Sequence, residues 1–196
     1  DIGAVFNVPY EHLLAAKDSL YFQTAHQLPL IAGQITRQTP VNPAKLAILQ
    51  QTLDPALLHE AGADVVIFHK ARAQEIDAFG DLQARLIERF GPPSYEDERI
   101  AIYDVPEISG RPDAYVPDYE GDLPLAVDFY VPDTGFVIFA TEGQAAIQAV
   151  EVSLNSINLT NGLDGLGVYV EAAGFYRLRM QQPVACPEYY DRTRFT

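Results

Sequence analysis

The sequence has a single cysteine, Cys186, few basic residues and no long apolar run. One cysteine excludes an intrachain disulfide, although a chain of 196 residues buries enough apolar surface to fold without one. No segment reaches the ~18 apolar residues that span a bilayer, and no basic segment followed by an apolar one forms an export signal. The chain begins at Asp1 rather than at a methionine, which predicts an excised or processed piece.

The scarcity of basic residues also restricts the partners. There are 13 lysines and arginines against 27 acidic residues, a formal net charge of −14. Binding to DNA or RNA without sequence preference depends on neutralising phosphates with Lys and Arg, so we expect no nucleic-acid partner. Docking on anionic lipid through a basic patch is disfavoured for the same reason. The negative net charge is compatible with neutral or cationic partners.

The first half of the chain alternates strand-like and helical segments. Continuous apolar runs at 2–8 and 63–69 predict buried strands. Asn42-Pro43 and Asp54-Pro55 are helix starts, with a capping side chain followed by proline at the first helical position. A β-hairpin is predicted over 95–105. Strands alternating with helices indicate an α/β domain with a small, mainly parallel sheet.

The composition changes at 106–124, a segment rich in proline and acidic residues that we interpret as a linker. Beyond it, helical periodicity gives way to short strand-like runs separated by turn signals. This pattern predicts an antiparallel β-sandwich-like domain. The predicted organisation is therefore an α/β domain at 1–105, the linker, and a β-rich domain at 125–196.

No motif with a known catalytic mechanism is present. The histidines do not have the spacing of a helical zinc site, and there is no Cys-x-x-Cys. Glycine-rich phosphate loops and a Gly-x-Ser-x-Gly elbow are also missing. We therefore assign no catalytic residue, no metal ligand and no cofactor.

A ligand-binding surface is predicted around the stretch 21–40, which mixes aromatic, amide and cationic side chains. A second part comes from the end of the strand at 63–69, because ligands of open α/β sheets bind at the carboxyl ends of strands. Purely structural roles at a helix end and a strand end stay open as the alternative. The candidate residues are Tyr21, Gln23, His26, Arg37, His69 and Lys70.

Several linked motifs resemble one family of proteins. A strand ending in Asn7-Val-Pro-Tyr10 is followed by Tyr21-Phe-Gln-Thr-x-His-x-x-Pro-Leu-x-x-Gly-x-x-x-Arg-x-x-Pro40. Next come a strand ending in His69-Lys70 and a Phe90-Gly-x-Pro that leads to Tyr95-Glu-Asp-x-x-Ile-x-x-Tyr-Asp-Val105. In this order they resemble the segment after the last membrane helix of large bacterial multi-pass glycosyltransferases, of the mannosyltransferase and arabinosyltransferase-like kind.

The resemblance implies an extracytoplasmic domain on the bacterial cell membrane, attached through helices that are absent from this chain. The lipid-linked sugar donor and the catalytic carboxylates belong to the membrane part of such enzymes, so no catalysis is expected from this chain alone. Its expected role is to bind glycan or to position a lipid-linked sugar acceptor. Two alternatives stay open: a stand-alone carbohydrate-active hydrolase with a carboxylate pair, and a purely structural interaction module.

Overall fold

A computed structural model describes residues 3–31, 42–117, 125–139, 148–153, 159–162 and 165–181. Arg37 and Cys186 lie outside these residues. The chain divides into two compact units, Asp1–Ala114 and Tyr115–Thr196. The division falls within the segment 106–124 that was interpreted from the sequence as a linker.

The described part of the first unit alternates strands and helices from its beginning. In chain order its elements are β1 (Ala4–Val8), α1 (Leu13–His26), α2 (Pro43–Thr52), α3 (Pro55–Glu60), β2 (Ala63–His69), α4 (Lys70–Glu75), α5 (Phe79–Phe90), β3 (Tyr95–Glu96) and β4 (Ile100–Asp104). No helix in the described ranges is long and apolar enough to cross a membrane.

The strands of the first unit form one sheet in the order β1–β2–β4–β3. β1 and β2 run parallel, with Val8 opposite Phe68, whereas β4 is antiparallel to both β2 and β3. The sheet is therefore mixed, and the prediction of a mainly parallel sheet is wrong. β3 and β4 form a hairpin, which joins antiparallel strands. β4 also runs antiparallel to β2, so β1 and β2 are the one parallel pair among these four strands.

The chain that follows α1 returns to the outer edge of β1. The Val5 amide donates a hydrogen bond to the Pro29 carbonyl over 2.8 Å, and the Ile31 amide donates to the Val5 carbonyl over 2.9 Å. Leu30 thereby forms a parallel bridge with Val5. This crossing satisfies edge groups of β1 that would otherwise be unpaired.

Each face of the sheet is covered by different helices. On one face, the ring of Phe68 packs against Phe79 of α5, with centroids 5.6 Å apart, and Tyr103 packs against Phe90 at 6.2 Å. On the other face, the ring of His69 lies 6.0 Å from Phe22 of α1. Since successive residues of a strand point to opposite faces, both sides of β2 are used, and Val66, Phe68 and His69 are all buried.

Side chains fix the starts of the helices. Asn42 Oδ1 accepts from the Ala44 amide at 3.0 Å, and Asp54 Oδ1 accepts from the Ala56 amide at 2.7 Å. Both N-caps and the prolines after them confirm the helix starts predicted from the sequence. Gly62, with φ +85°, follows α3 in the left-handed conformation that ends many helices.

The described part of the second unit is antiparallel. Its strands are β5 (Leu125–Val131), β6 (Gly135–Phe139), β7 (Gln148–Ser153), β8 (Leu159–Gly162), β9 (Gly165–Val170) and β10 (Gly174–Gln181). They form two sheets of three strands each, in the orders β5–β10–β7 and β6–β9–β8. The antiparallel β-rich character expected from the sequence is confirmed.

Both sheets of the second unit bury apolar residues, and the end of β5 is buried on both faces. Val127 and Phe129 of β5 are buried together with Leu178 of β10, and Val168 and Val170 of β9 are buried in the other sheet. The guanidinium group of Arg177 donates two hydrogen bonds to the Asp128 carboxylate, at 2.6 and 2.7 Å, directly across β5 and β10. Such bidentate geometry fixes the strand register as well as adding attraction.

Candidate functional site

A cavity of about 460 Å³ lies in the first unit, where the chain leaves β1. The end of α2 and the junction between α4 and α5 complete its wall. Ligands of α/β sheets bind in the crevice beyond the carboxyl ends of strands, which is where this cavity is found. Its lining residues are Glu11, His12, Leu13, Gln50, Ile76, Ala78, Asp81, Leu82 and Arg85.

Arg85 holds one wall of the cavity in place. Its Nη1 donates to Asp81 Oδ2 at 3.0 Å, and its Nη2 donates to the carbonyl oxygens of Gln50 and Gln51 at the end of α2. Those carbonyls lie in the last helical turn, which carries partial negative charge. The guanidinium therefore ties α5 to α2 and neutralises both the carboxylate and the helix end.

His12 forms the opposite side of the cavity as the N-cap of α1. Its Nδ1 accepts from the amides of Leu14 and Ala15 at 3.2 and 3.4 Å, so this nitrogen carries no proton. Its Nε2 lies 2.9 Å from Glu75 Oε2 and donates its hydrogen there. The two ring nitrogens thus have different roles, Nδ1 as acceptor and Nε2 as donor.

A chain of charged groups continues from His12 along α1 and α4. Arg72 donates to Glu75 at 2.6 Å and to Asp18 at 3.0 Å. Hydrogen bonds to Asp18 and then to Glu75 raise the pKa of the Arg72 guanidinium. Since α1 supplies Asp18 and α4 supplies Arg72, the network holds the two helices together beside the cavity.

The cavity lining combines polar groups that can form hydrogen bonds with exposed apolar side chains. Gln50 Oε1 accepts from the Tyr10 amide at 2.8 Å, which orients the amide group and leaves its Nε2 as a donor. The Glu11 and Asp81 carboxylates supply acceptors. The side chains of Leu13 and Ile76 are 52% and 42% exposed, so they offer apolar surface beside these polar groups.

The residues predicted from the stretch 21–40 lie at the end of α1. Gln23 Nε2 donates to the Leu28 carbonyl at 3.1 Å, and His26 Nδ1 accepts from the Leu28 amide at 2.9 Å. Both side chains therefore stabilise the turn after the helix, and burial lowers the pKa of His26. Tyr21 is 75% exposed on the same helix, and Arg37 lies outside the described residues.

His69 is buried in the sheet rather than facing solvent. It is only 3% exposed, and its Nε2 lies 2.8 Å from Asn7 Oδ1, on the neighbouring strand. Burial lowers its pKa to about 4, while Asp18 opposes this shift and Arg72 adds to it. The ring is therefore neutral near pH 7 and donates its Nε2 hydrogen to the Asn7 carbonyl oxygen.

Lys70 does not join the other predicted residues. Its Nζ donates to Glu96 Oε1 at 2.5 Å and to the Asp97 carbonyl at 2.6 Å, both in the β3–β4 hairpin. Lys70 is thus held by the hairpin, and a crevice that it shares with the stretch 21–40 stays a prediction, since residues 32–41 lie outside the described ranges. Of the six predicted residues, Tyr21, Gln23 and His26 lie in α1, His69 ends β2, Lys70 begins α4, and Arg37 is outside the described ranges.

The residues of the cavity were missed in the sequence. Glu11 and His12 come shortly after the first predicted strand. The tendency of ligands to bind at the carboxyl ends of strands, which selects His69 and Lys70 at the end of β2, therefore applies equally to these two residues at the end of β1. Asp81 and Arg85 have the i, i+4 spacing of a helical ion pair, which normally indicates only a solvated face. Gln50 gives no signal, since it is one of two adjacent glutamines at the end of α2.

Within the described ranges, no group of three or more His, Cys, Asp or Glu side chains is arranged to hold a metal ion. No protein-family model matches the chain, and neither the curated proteins nor the solved structures show a significant match. The function is therefore inferred chiefly from the chemistry of the cavity.

Proposed function

We propose that this chain is a carbohydrate-binding domain without catalysis of its own, and that the cavity at the end of β1 is its binding site. The observation that carries the proposal is this cavity of about 460 Å³, which combines polar side chains held by hydrogen bonds with exposed leucine and isoleucine. Its volume falls in the range of small-molecule sites, roughly 300–1,000 Å³.

The lining suits the surface of a sugar ring. Sugar hydroxyls both donate and accept hydrogen bonds, and here the Glu11 and Asp81 carboxylates accept while Gln50 Nε2 donates. The C–H faces of the ring are apolar and fit against Leu13 and Ile76. Because Arg85 and Tyr10 already hold Asp81 and Gln50 in position, little side-chain entropy is lost on binding.

We further propose that the domain belongs to a membrane glycosyltransferase-like protein, on the extracytoplasmic face of the bacterial cell membrane. The ordered motifs from Asn7 to Val105 support this, and the ligand is then a glycan or a lipid-linked sugar acceptor. The gene upstream of the codon for Asp1 provides the test. Multiple apolar helices there would support the assignment, whereas a signal peptide directly before Asp1 would refute it.

Calorimetric titration of the whole chain with neutral, amino and acidic oligosaccharides tests the binding proposal. We expect binding by the wild-type protein and none by Ile76→Lys, because a long charged side chain would occupy the cavity and pair with its carboxylates. Ile87→Lys is the matched control, since Ile87 is a similarly exposed isoleucine of α5, 47% exposed, outside the cavity lining. It should bind like the wild type.

Two results would count against carbohydrate binding in the cavity. A flat response to every sugar in the wild-type titration would leave the structural interaction module as the better interpretation. Equal binding by Ile76→Lys and Ile87→Lys would place the site elsewhere on the chain.

Hydrolysis of a carbohydrate in the same cavity is a second candidate, because Glu11 and Asp81 both line it. A glycosidase needs two carboxyl groups about 5–10 Å apart on either side of the bond that is cleaved. Both carboxylates are exposed rather than set in an enclosed site, and Asp81 is already paired with Arg85 at 3.0 Å, so binding is favoured. Turnover of aryl glycosides that is lost in both Glu11→Gln and Asp81→Asn would establish the hydrolase instead.

We also propose that the two sheets of the second unit pack face to face as a β-sandwich. Each sheet has buried residues that share one face, Phe129 and Leu178 in one sheet and Val137 and Val168 in the other, as two facing sheets require. Nuclear Overhauser contacts between methyl groups of Leu178 and Val168 would be expected. Their absence in a fully assigned spectrum would contradict this arrangement.

A further inference from the structure

The charges around the cavity are unevenly distributed. Glu11 and Asp81 line it, with Arg85 as the single opposing cation in the lining. Glu75 lies directly behind His12, at 2.9 Å, and adds further negative charge. The whole chain carries a net charge of −14, so no excess of cations elsewhere offsets this local potential.

Most of the guanidinium of Arg85 is already engaged. Three of its five N–H donors are directed to Asp81, the Gln50 carbonyl and the Gln51 carbonyl, and the last two bonds both come from Nη2. An arginine engaged in this way cannot form the bidentate contact through which arginines bind carboxylates and phosphates. An anionic ligand would therefore meet carboxylates in the cavity without a cation to receive it.

Glu11 is in the opposite situation. Glu11 is exposed and lines the cavity, and no ion pair of its carboxylate is found among the described residues. The carboxylate of Asp81, in contrast, is compensated by Arg85 at 3.0 Å. The charge of Glu11 is thus the one in the lining that remains for a ligand to neutralise.

We infer that the cavity selects hydroxylated ligands that carry a protonated amino group, and that Glu11 is the residue that determines this specificity. The inference rests on the proposed function, because it assumes that the cavity binds sugars. The ammonium group pairs with the Glu11 carboxylate, while the ring hydroxyls use Gln50 and Asp81. Neutral sugars bind the same site more weakly, and sugar acids are excluded by repulsion.

Four monosaccharides test the inference by titration of the whole chain: glucose, glucosamine and N-acetylglucosamine, which differ at C2, and glucuronate, which carries a carboxylate at C6. At a pH where the amine is protonated, we expect glucosamine to bind roughly three- to fivefold more tightly than glucose, the ratio of a partly solvated ion pair. N-acetylglucosamine should lose that advantage, and glucuronate should bind most weakly.

The matched variants are Glu11→Gln and Glu88→Gln. Both remove one negative charge, but Glu88 is an exposed residue of α5 outside the cavity lining. Glu11→Gln should bring the ratio of the glucosamine and glucose affinities close to one, and Glu88→Gln should leave it unchanged. The ratio of the glucosamine and glucose affinities of the wild-type protein should also fall as salt is raised. This measurement does not depend on whether a variant folds.

The possible failures are distinguishable. If none of the four sugars binds, the proposed function itself is refuted. If they bind with equal affinity, or if the ratio is insensitive to salt and to Glu11→Gln, carbohydrate binding stands and the selection of amines is refuted.

Discussion

Two histidine side chains of the first unit, those of His12 and His69, hold parts of the fold through hydrogen bonds. His12 accepts two amide hydrogens at the start of α1, and His69 donates to Asn7 inside the sheet. The two differ in burial, because His69 is nearly inaccessible whereas His12 lines the cavity. Protonation of either ring would therefore disturb a different part of the structure.

Burial of His69 makes the stability of the protein depend on pH. The pKa of this group is about 4 in the folded chain, against the ordinary histidine value of 6.5 in an unfolded one. Between these two values the unfolded chain takes up a proton that the folded chain does not, so the free energy of unfolding falls as the pH is lowered from 6.5 to 4. A difference of this size corresponds to about 3 kcal/mol.

The variant His69→Gln isolates this contribution in urea unfolding measured at several pH values. Glutamine keeps a donor for Asn7 but does not titrate, so the variant should lose less stability than the wild type between pH 6.5 and 4. It should be less stable at pH 7, where the packing of the ring on Phe22 is lost. Parallel pH profiles for the two proteins would contradict the buried neutral histidine.

Replacement of His12 tests its contribution as the N-cap of α1. His12→Ala removes the acceptor for two amides of α1 and should lower the free energy of unfolding by about 1 kcal/mol. His12→Asn supplies a favourable N-cap oxygen and should recover most of this loss, although not the contact with Glu75. Equal stability of His12→Ala and the wild type would show that the cap contributes nothing.

Helices and strands of the first unit are positioned by a few polar anchors. Lys70 ties the end of β2 to the β3–β4 hairpin, Arg85 ties α5 to α2, and Arg72 ties α4 to α1. Each anchor crosses between elements that are distant in sequence. These anchors fix the edges of the α/β layer, whereas apolar contacts such as Phe68 against Phe79 fill its interior.

A capping substitution measures how much one helix start contributes. Asp54→Ala should reduce the free energy of unfolding by about 1 kcal/mol, because the Ala56 and Leu57 amides lose their acceptor. Asp54→Asn keeps a suitable acceptor and should lie close to the wild type. Chemical denaturation of the three proteins gives the comparison, and a neutral Asp54→Ala would contradict the role of this cap.

The sequence predicted those elements whose signals are local. Asn42-Pro43, Asp54-Pro55 and the β-branched run at 63–69 each specify their own structure, and the corresponding helices and strand occur at those positions. The direction of β4 depends on which strand it pairs with, and no local signal encodes that choice. The short helix α4 was also missed, because nothing separates it in sequence from the strand before it.

The candidate site was less predictable than the fold. Asp81, Gln50 and Glu11 come from three segments that only the folded chain brings together. The aromatic and polar composition of the stretch 21–40 predicts a binding surface. In the structure, however, Gln23 and His26 use their polar atoms to end α1. Composition does not distinguish a side chain that binds a ligand from one that satisfies its own backbone.

The chain divides into two compact units, with the boundary between residues 114 and 115. The described elements of the first unit include a sheet covered on both faces, and the cavity lining lies entirely within that unit. A unit of this size with its own core has what independent folding requires. Carbohydrate binding should therefore need only the first unit.

Expression of residues 1–114 alone tests this independence. The fragment should unfold cooperatively in a thermal scan, and its amide spectrum should match the corresponding signals of the whole chain. It should also retain the sugar affinity of the whole chain. A collapsed fragment without dispersed amide signals would show that the second unit is required for folding.

The central claim is that a sugar binds at the end of β1 and not on the surface predicted from the sequence. Amide chemical shifts of the ¹⁵N-labelled whole chain, followed during titration with glucosamine oligosaccharides, test it most directly. We predict shifts clustered at Glu11, Leu13, Gln50 and Leu82, around the cavity. Shifts confined to the segment from Tyr21 to His26, or no shifts at all, would contradict the claim.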